Sequence, residues 1–321
     1  MRRTSRAFFP AVFASVLFLA ACGGDTEPDA DAQSENDSEQ GQNGESDGET
    51  GQGTGVLPEV RGDFGEEPEI IYPAEDPSPA LEVEVLSEGD GAEVEAGDLL
   101  VADYIGQVWD GETFDNSFIR DEPTSFPIGV SAVIAGWDQG LVGQTVGSRV
   151  VLSIPSELGY AQGNPGAGIE PGDTIAFVVD IIDTYGPAQA GDADATVIDG
   201  VLNDLPIEIT GELGEPVTLE IKDGAAEPTE QLTTVLAEGN GAPLESGTTA
   251  LHFAAAFWGE QEPSSTWEAG QVASVPVGAS DSEFDDLVGI PIGSRVLIEI
   301  PSAEGADAAV AIVDIIGQPK R

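Results

Sequence analysis

From Val56 onward the chain carries the same series of motifs twice. "GDFGEEPEI" from Gly62 returns as "GELGEPVTL" from Gly211, and "VLSEGDGAEVEAGD" from Val85 as "VLAEGNGAPLESGT" from Val235. "VGSRVVLSIPS" from Val146 returns as "IGSRVLIEIPS" from Ile292, and "FVVDII" at Phe177 as "AIVDII" at Ala311. A duplication at this long period reads as tandem domains, not as a solenoid of short repeats. The expected units are 56–186 and 201–321, joined by an acidic, small-residue linker at 187–200.

The offset between the copies falls along the chain, which locates two deletions. Tyr104 to Phe253 and Gly129 to Gly278 both differ by 149, but Arg149 to Arg295 differs by 146. Copy 2 therefore lacks 149 − 146 = 3 residues around the run Val133-Ile134-Ala135-Gly136-Trp137 of copy 1. Asp180 to Asp314 differs by 134, so another 146 − 134 = 12 residues are missing where copy 1 carries the loop with Tyr160.

Copy 1 has clear strand signals. "ALEVEV" alternates with period two, and "DLLVADYIGQVW" is β-branched and aromatic and runs into the turn pair Asp110-Gly111. Residues 149–154 and 173–183 read as further strands, the second largely buried. One helix is expected, from Ile134 to Gln144. Several antiparallel strands with one short helix define an α+β unit.

The first 55 residues stand apart. A basic start holding Arg2, Arg3 and Arg6 leads into an apolar stretch from Ala7 to Ala21, too short and wrongly flanked to span a bilayer. Residues 1–21 are read as a signal peptide. The small residues Ala20 and Ala21 before Cys22 resemble the bacterial lipobox, which implies diacylation of the single cysteine. Two acyl chains suffice for stable anchoring. With its one cysteine at the cleavage point, the remainder has no disulfide to lean on and must be held by packing. Residues 22–55 are acidic and polar and are expected to be a disordered spacer. The location implied is extracytoplasmic, with membrane contact through the lipid anchor alone.

The chain has 60 acidic and 10 basic residues. Without the three leader arginines the balance is 7 − 60 = −53. A surface of that sign repels phosphate backbones and excludes nucleic-acid binding as the expected role. It also suits a salt-rich habitat, where self-repulsion is screened. There is no Gly-Lys-Ser/Thr phosphate loop and no Gly-x-Ser-x-Gly elbow, and one histidine leaves no room for a triad or a zinc site. No cofactor and no metal are expected.

What remains is an aromatic constellation in copy 1: Tyr104, Phe114-Asp115, the Val133-Ile134…Trp137 run, Tyr160 and Phe177. Together these make a mostly apolar cavity with a few placed polar groups, the usual chemistry of a small-ligand site. Their order and spacing, from about Leu81 to Tyr185, resemble the FKBP family of peptidyl-prolyl cis-trans isomerases. The resemblance implies a twisted antiparallel sheet curled around one helix in each copy. It implies a pocket of Tyr104, Phe114, Asp115, Val133, Ile134, Trp137, Tyr160, Ile169 and Phe177, with Trp137 as floor. It also implies Asp115 paired with the Tyr104 hydroxyl, and the Tyr160 hydroxyl and Ile134 N–H as donors to substrate carbonyls. Thr124 departs from the family, which often has an aromatic there, so that wall is expected to be less apolar.

The implied activity is isomerisation of Xaa-Pro bonds in exported proteins, with proline-containing polypeptides as clients and macrolide FKBP inhibitors as possible ligands. The competing reading is a non-catalytic binding or chaperone lipoprotein on the same scaffold. Copy 2 is expected to be degenerate. Phe253 replaces Tyr104, Pro263 and Ser264 fall where Phe114 and Asp115 stand, and the Trp-bearing run and the Tyr160 loop are cut. His252 is read as structural.

Overall fold

The structure is a computed structural model that describes residues 55–120, 123–259, 261–278, 282–303 and 305–319. The expected leader, Cys22 and all of the spacer except Gly55 lie outside the described residues.

The first half opens with a small hairpin, β1 (Glu59–Arg61) against β2 (Glu69–Ile71). An antiparallel sheet follows, built from β3 (Glu82–Ser87), β4 (Leu99–Val108), β5 (Thr113–Asn116), β6 (Thr124–Pro127), β7 (Arg149–Ile154) and β8 (Ile175–Tyr185). Its order is β3-β7-β8-β4-β5, with β6 also on β4. Asp110, at the β4–β5 turn, has a φ of 50°, in the left-handed region that turn aspartates tolerate.

The helix α1 (Ala135–Leu141) lies across one face of the sheet. It can lie close because Gly136 and Gly140 face it. A Cβ on either would stand 2.5 Å from Ile154 or Leu152. α1 is shorter than the expected 134–144. Val142 is already extended, Gly143 turns at φ 87°, and Gln144 folds its side-chain amide back onto the Gly140 carbonyl.

The opposite face of the sheet is covered by the β1–β2 hairpin. Leu57, Val60 and Ile70 pack there against Ile105, Val151 and Val178. With both faces covered, all six residues of β7 are buried, and so are the first seven of β8. This is why those strands read as continuous apolar runs and not as alternation.

The second half repeats the plan. A short strand β9 (Thr196–Val197) and the hairpin β10 (Ile207–Thr210) with β11 (Thr218–Ile221) come first. Then come β12 (Leu232–Glu238), β13 (Gly247–Phe257), β14 (Ser264–Ser265), β15 (Ala273–Val277), β16 (Arg295–Ile300) and β17 (Ala309–Gly317). Their order is β14-β13-β17-β16-β12-β9, with β15 on β13. Phe253 lies opposite Val313 as Tyr104 lies opposite Val179. A one-turn helix α2 (Thr266–Ala269) was not anticipated. Its sequence signal is Ser265 followed three residues later by Glu268, with the Ser265 hydroxyl accepting from the Glu268 N–H.

The segment expected to be a linker runs against the second sheet, where Gly191 N–H donates to Asp314 Oδ2. The two halves also share apolar contacts: Leu99, Val101 and Tyr185 cluster with Ala250 and Ile316.

Each hairpin is pinned to its sheet by a buried ion pair. Arg149 Nε and Nη2 donate to the two Asp180 oxygens at 2.6 and 2.7 Å. The same guanidinium donates to the Gly62 and Glu66 carbonyls of the hairpin turn at 2.7 and 2.6 Å. In the second half Arg295 meets Asp314 at 2.7 Å twice and the Glu212 and Glu215 carbonyls at 3.0 and 2.8 Å. The first pair's side chains are 2% and 1% exposed, so water screens little of the interaction.

Removing one partner of such a pair strands the other charge, at a cost of about 3–5 kcal/mol. Asp180→Ala is therefore expected to lower the unfolding free energy by about that amount in urea titrations. The double replacement Arg149→Met with Asp180→Leu should cost less than the single one. A double variant as unstable as Asp180→Ala would mean that the lost hairpin contacts, not the stranded charge, set the cost.

Candidate functional site

The concave side of the first sheet meets α1 and the loop after β7 around a cavity of about 540 Å³. Its wall comprises Tyr104 on β4, Phe114 and Asp115 on β5, Phe126 on β6, Ala132, Val133, Ile134 and Trp137 at the start of α1, Tyr160, Asn164 and Ala167 from the loop, and Phe177 on β8.

Trp137 is the floor. It is 3% exposed, and three rings stand nearly perpendicular to its indole. Tyr104 lies at 5.3 Å, Phe126 at 5.1 Å and Phe177 at 5.2 Å between centroids. Edge-to-face packing of this kind contributes roughly 0.5–1.5 kcal/mol per pair beyond burial. The indole N–H has no hydrogen-bond partner among the described residues. Phe114 extends the aromatic wall from Phe177 at 5.5 Å to Tyr160 at 6.4 Å. Gly106 makes room for it, since a Cβ there would stand 2.6–2.8 Å from the Phe177 and Phe114 rings.

The entry to α1 is held by the helix itself. Asp138 accepts from Gly129 N–H at 2.7 Å and from Ser131 N–H at 2.8 Å. This fixes the turn, in which Ser131 has a φ of 62°, and so aims Val133 and Ile134 at the cavity. Ile134 takes the N-cap position with extended backbone.

The polar edge is a three-residue network. The Tyr104 hydroxyl donates to Asp115 Oδ2, and Arg120 donates to Asp115 Oδ1 at 2.9 Å and to the Tyr104 oxygen at 3.1 Å. Burial opposes ionisation of Asp115, but the hydrogen bonds from Tyr104, Arg120 and the Asn116 N–H, with the charge of Arg120, outweigh it and hold the carboxyl below its ordinary 3.8. Tyr104 is pushed up to about 12, first by burial and then by its bond to Asp115 and that group's charge. Tyr160 is also raised, by burial and by the charge of Asp115, so both phenols keep their protons at neutral pH and can donate.

Eight of the nine pocket residues read from the sequence meet at this cavity. The ninth, Ile169, does not line it. It is 2% exposed and packs in the core, its backbone bridged to Asn164. Asn164 and Ala167 present that loop to the cavity instead. Thr124 is not among the lining residues, and Phe126, two residues further along β6, supplies an aromatic on that side. Arg120 and Phe126 were missed as site residues. Their signals are a cation five residues after Asp115 in a cation-poor chain, and an aromatic on the strand facing Tyr104.

The second half keeps the framework and loses this chemistry. Ser264 stands opposite Ala255 as Asp115 stands opposite Gly106. Phe284 takes the place of Trp137, because the next residue, Asp285, accepts from Gly278 N–H as Asp138 does from Gly129. Phe253 and Phe284 are each 1% exposed and pack together in the core. His252 is buried, 2.8 Å from Thr266 Oγ1 and 3.3 Å from the Gly186 carbonyl, and stacked on Trp267. Burial lowers its pKa, so it stays neutral. Among the described residues no group of three or more metal-ligating side chains comes together.

The profile of the FKBP-type peptidyl-prolyl cis-trans isomerases matches residues 91–182, the stretch that builds this cavity. An FK506-binding protein of Streptomyces anulatus is 40% identical over 119 residues, 36% of this chain and 96% of that relative. An FK506-binding protein of Neisseria meningitidis serogroup A is 38% identical over 106 residues, 33% of this chain and 97% of the relative. The chain belongs to the FKBP-type peptidyl-prolyl cis-trans isomerase family.

Among solved structures, AtFKBP13 is 34% identical and overlaps 33% of this chain and 93% of its own, with a TM-score of 0.31. FkpA from Escherichia coli is 39% identical over 33% of this chain and 48% of its own, with a TM-score of 0.30. The assignment rests on the sequence relatives and not on these overlaps.

Arg120 lowers the pKa of both Asp115 and Tyr104, so its loss should raise both. In Arg120→Met, carbon-detected NMR titration is expected to move the midpoints of both Asp115 and Tyr104 upward from those of the unsubstituted chain. An unchanged Asp115 midpoint would show that Tyr104 and Asn116 alone hold it down.

Proposed function

We propose that this isomerase acts outside the cytoplasm, tethered to the membrane by acyl chains on Cys22, and turns Xaa-Pro bonds in exported polypeptides. The cavity around Trp137 carries the isomerase part of this reading: an aromatic floor and wall, with Tyr104 and Asp115 on one edge and Tyr160 and Asn164 on the loop side.

A prolyl amide resists rotation because its C–N bond has partial double-bond character, with a barrier of about 18–20 kcal/mol. Uncatalysed exchange takes roughly tens to hundreds of seconds, slow enough to limit folding. Rotation makes and breaks no bond, so the site needs no nucleophile. The proline ring rests on Trp137 between Phe177, Val133 and Phe114, out of water. The planar amide is the more dipolar form and loses most from that transfer, so the twisted amide is held better than either ground state. The Ile134 N–H and the Tyr160 hydroxyl donate to the flanking substrate carbonyls. Asp115, held by Tyr104 and Arg120, sets the polar wall and keeps Tyr104 in place beside the floor.

On this reading the chain is a tandem of two FKBP-like units. The second, with Phe253, Ser264 and Phe284 in place of Tyr104, Asp115 and Trp137, is a docking or scaffold unit without turnover. The Cys22 context supports the anchor, and the names of the curated relatives support FK506-type macrolides as ligands of the same cavity.

The test is prolyl isomerisation of an Xaa-Pro tetrapeptide by the full chain. Trp137→Ala and Asp115→Ala should each lower kcat/KM by about tenfold or more, equivalent to roughly 1.4 kcal/mol of transition-state stabilisation. Ser264→Ala should leave it unchanged, and FK506 should compete with the peptide. Equal turnover in wild type and Trp137→Ala would remove this cavity as the site. Cys22→Ser should move the protein from the membrane to the soluble fraction without changing turnover.

A further inference from the structure

The two halves differ at one place where their backbones agree. β3 and β12 occupy equivalent edges. Val85 pairs with Val150 as Val235 pairs with Val296, and both strands are irregular at the next residue. Gly89 and Gly239 then donate to Ser148 and Ser294 hydroxyls in the same way.

Along β12 the outer edge is filled by the chain itself. Thr196 and Val197 form β9 against Glu238 and Ala237, and Ile198 N–H donates to the Leu236 carbonyl at 3.0 Å. Asp192 accepts from Asn240 N–H, and Asp194 from the Asn240 side-chain amide. Leu236 and Ala237 are 2% exposed, Leu236 being packed with Ile207, Val217 and Leu219 of the second hairpin as well. Along β3 no strand among the described residues pairs with the same edge. The counterparts of Leu236 and Ala237 differ: Leu86 is 38% exposed and Ser87 is exposed, with Val85 beside them also exposed.

We propose that the edge of β3 from Val85 to Asp90 is a strand-addition site for a client polypeptide that is extended, apolar on one face and basic. The second half shows that this edge geometry accepts an added strand. The free main-chain groups supply affinity, and Leu86 supplies the apolar contact.

Charge selects the occupant. Glu82, Glu84, Glu88 and Asp90 lie along this stretch. Asp90 stands where Asn240 donates to the linker, and an ionised carboxylate has no donor to give. An incoming strand must therefore bring donors, and cations suit best. The chain's own preceding segment has no Lys or Arg between Ala7 and Gly55. A second copy would set the same four carboxylates against themselves. A basic client meets neither obstacle.

The probe is a labelled, proline-free peptide, Lys-Val-Thr-Val-Lys-Val-Lys, added to the full chain. Lacking proline, it reports on this edge independently of the isomerase cavity. Fluorescence anisotropy should show binding that weakens at least tenfold in Leu86→Pro, in Leu86→Lys, and with a peptide of equal charge N-methylated at alternate residues. Hydrogen exchange should show the amides of residues 86–88 protected only when the peptide is present. Turnover of a short prolyl peptide, unaffected by these changes, certifies that each variant is folded, and Leu86→Lys serves if the proline variant is not.

Equal binding of the N-methylated peptide would reduce the effect to surface charge and overturn the proposal. So would absence of binding. Amides protected in the free chain would also overturn it, assigning the edge to the preceding segment if protection is independent of concentration and to a second copy if it is not.

Discussion

The fold depends on a buried guanidinium. Arg149 reaches from the sheet to two carbonyls in the turn of a hairpin that is otherwise short and exposed, while Asp180 neutralises it from the next strand. Neither half of that arrangement is stable alone. A buried arginine without a carboxylate is prohibitively costly, and a two-stranded hairpin of three-residue strands does not stand in water by itself. Joined, they close the outer face of the sheet. Once that face is closed, β7 and β8 are apolar on both sides, and the inner face is free to be organised around a cavity. Arg295 and Asp314 repeat the device bond for bond.

The duplication separates what the frame requires from what the site requires. Register, hairpin, ion pair and the aspartate that ties the turn to the short helix persist in both halves. The phenol, the carboxylate and the indole persist in one. Phe253 and Phe284 satisfy the core without a polar group, whereas Tyr104 and Asp115 bring a hydroxyl and a charge that need each other and Arg120. Burying polar groups is tolerated when they are mutually bonded. The second half has none of the three, and the hydroxyl of Ser264 is buried without a partner among the described residues.

Much of this was legible in the sequence because it is local. Period-two alternation and the Asp110-Gly111 turn speak through neighbours in the chain, and Trp137, Tyr160 and Phe177 are legible through the family resemblance. The offset of 149 is carried into the strand pairing, where Ser264 faces Ala255 as Asp115 faces Gly106. What the sequence hides is set by contacts distant in the chain. Arg149 and Asp180 are visible as repeated letters, but Arg149 also donates to the Gly62 and Glu66 carbonyls, more than 80 residues away, and Asp180 accepts from the still more distant Gly65 N–H. Ile169 carries the expected side chain at the expected spacing, yet its loop turns that side chain into the core and offers Asn164 and Ala167 instead. The acidic stretch after Tyr185 reads as a linker by composition. Its aspartates find N–H donors and its Thr196-Val197 finds a strand edge, neither of which composition can report.

The placement of the few cations follows the same logic. Of ten basic residues, five lie among the described ones. Arg149 and Arg295 sit in the buried pairs. Lys222 ties its hairpin to the Leu205 carbonyl, and Arg61 pairs with Glu59 on its own strand and with Glu69 across the first hairpin. Arg120 is the fifth, on the rim of the cavity. In a chain of net charge −50, every added acid makes the neutral form of its neighbours easier to reach. Asp115 would be driven towards protonation by that field and by its partial burial. Its three hydrogen bonds and one nearby cation reverse the direction. Four of these positive charges fasten a hairpin to its sheet or its own strands together. The remaining one keeps a single carboxylate ionised beside Tyr104, the local charge balance that a strongly acidic version of this pocket needs in order to keep its polar wall.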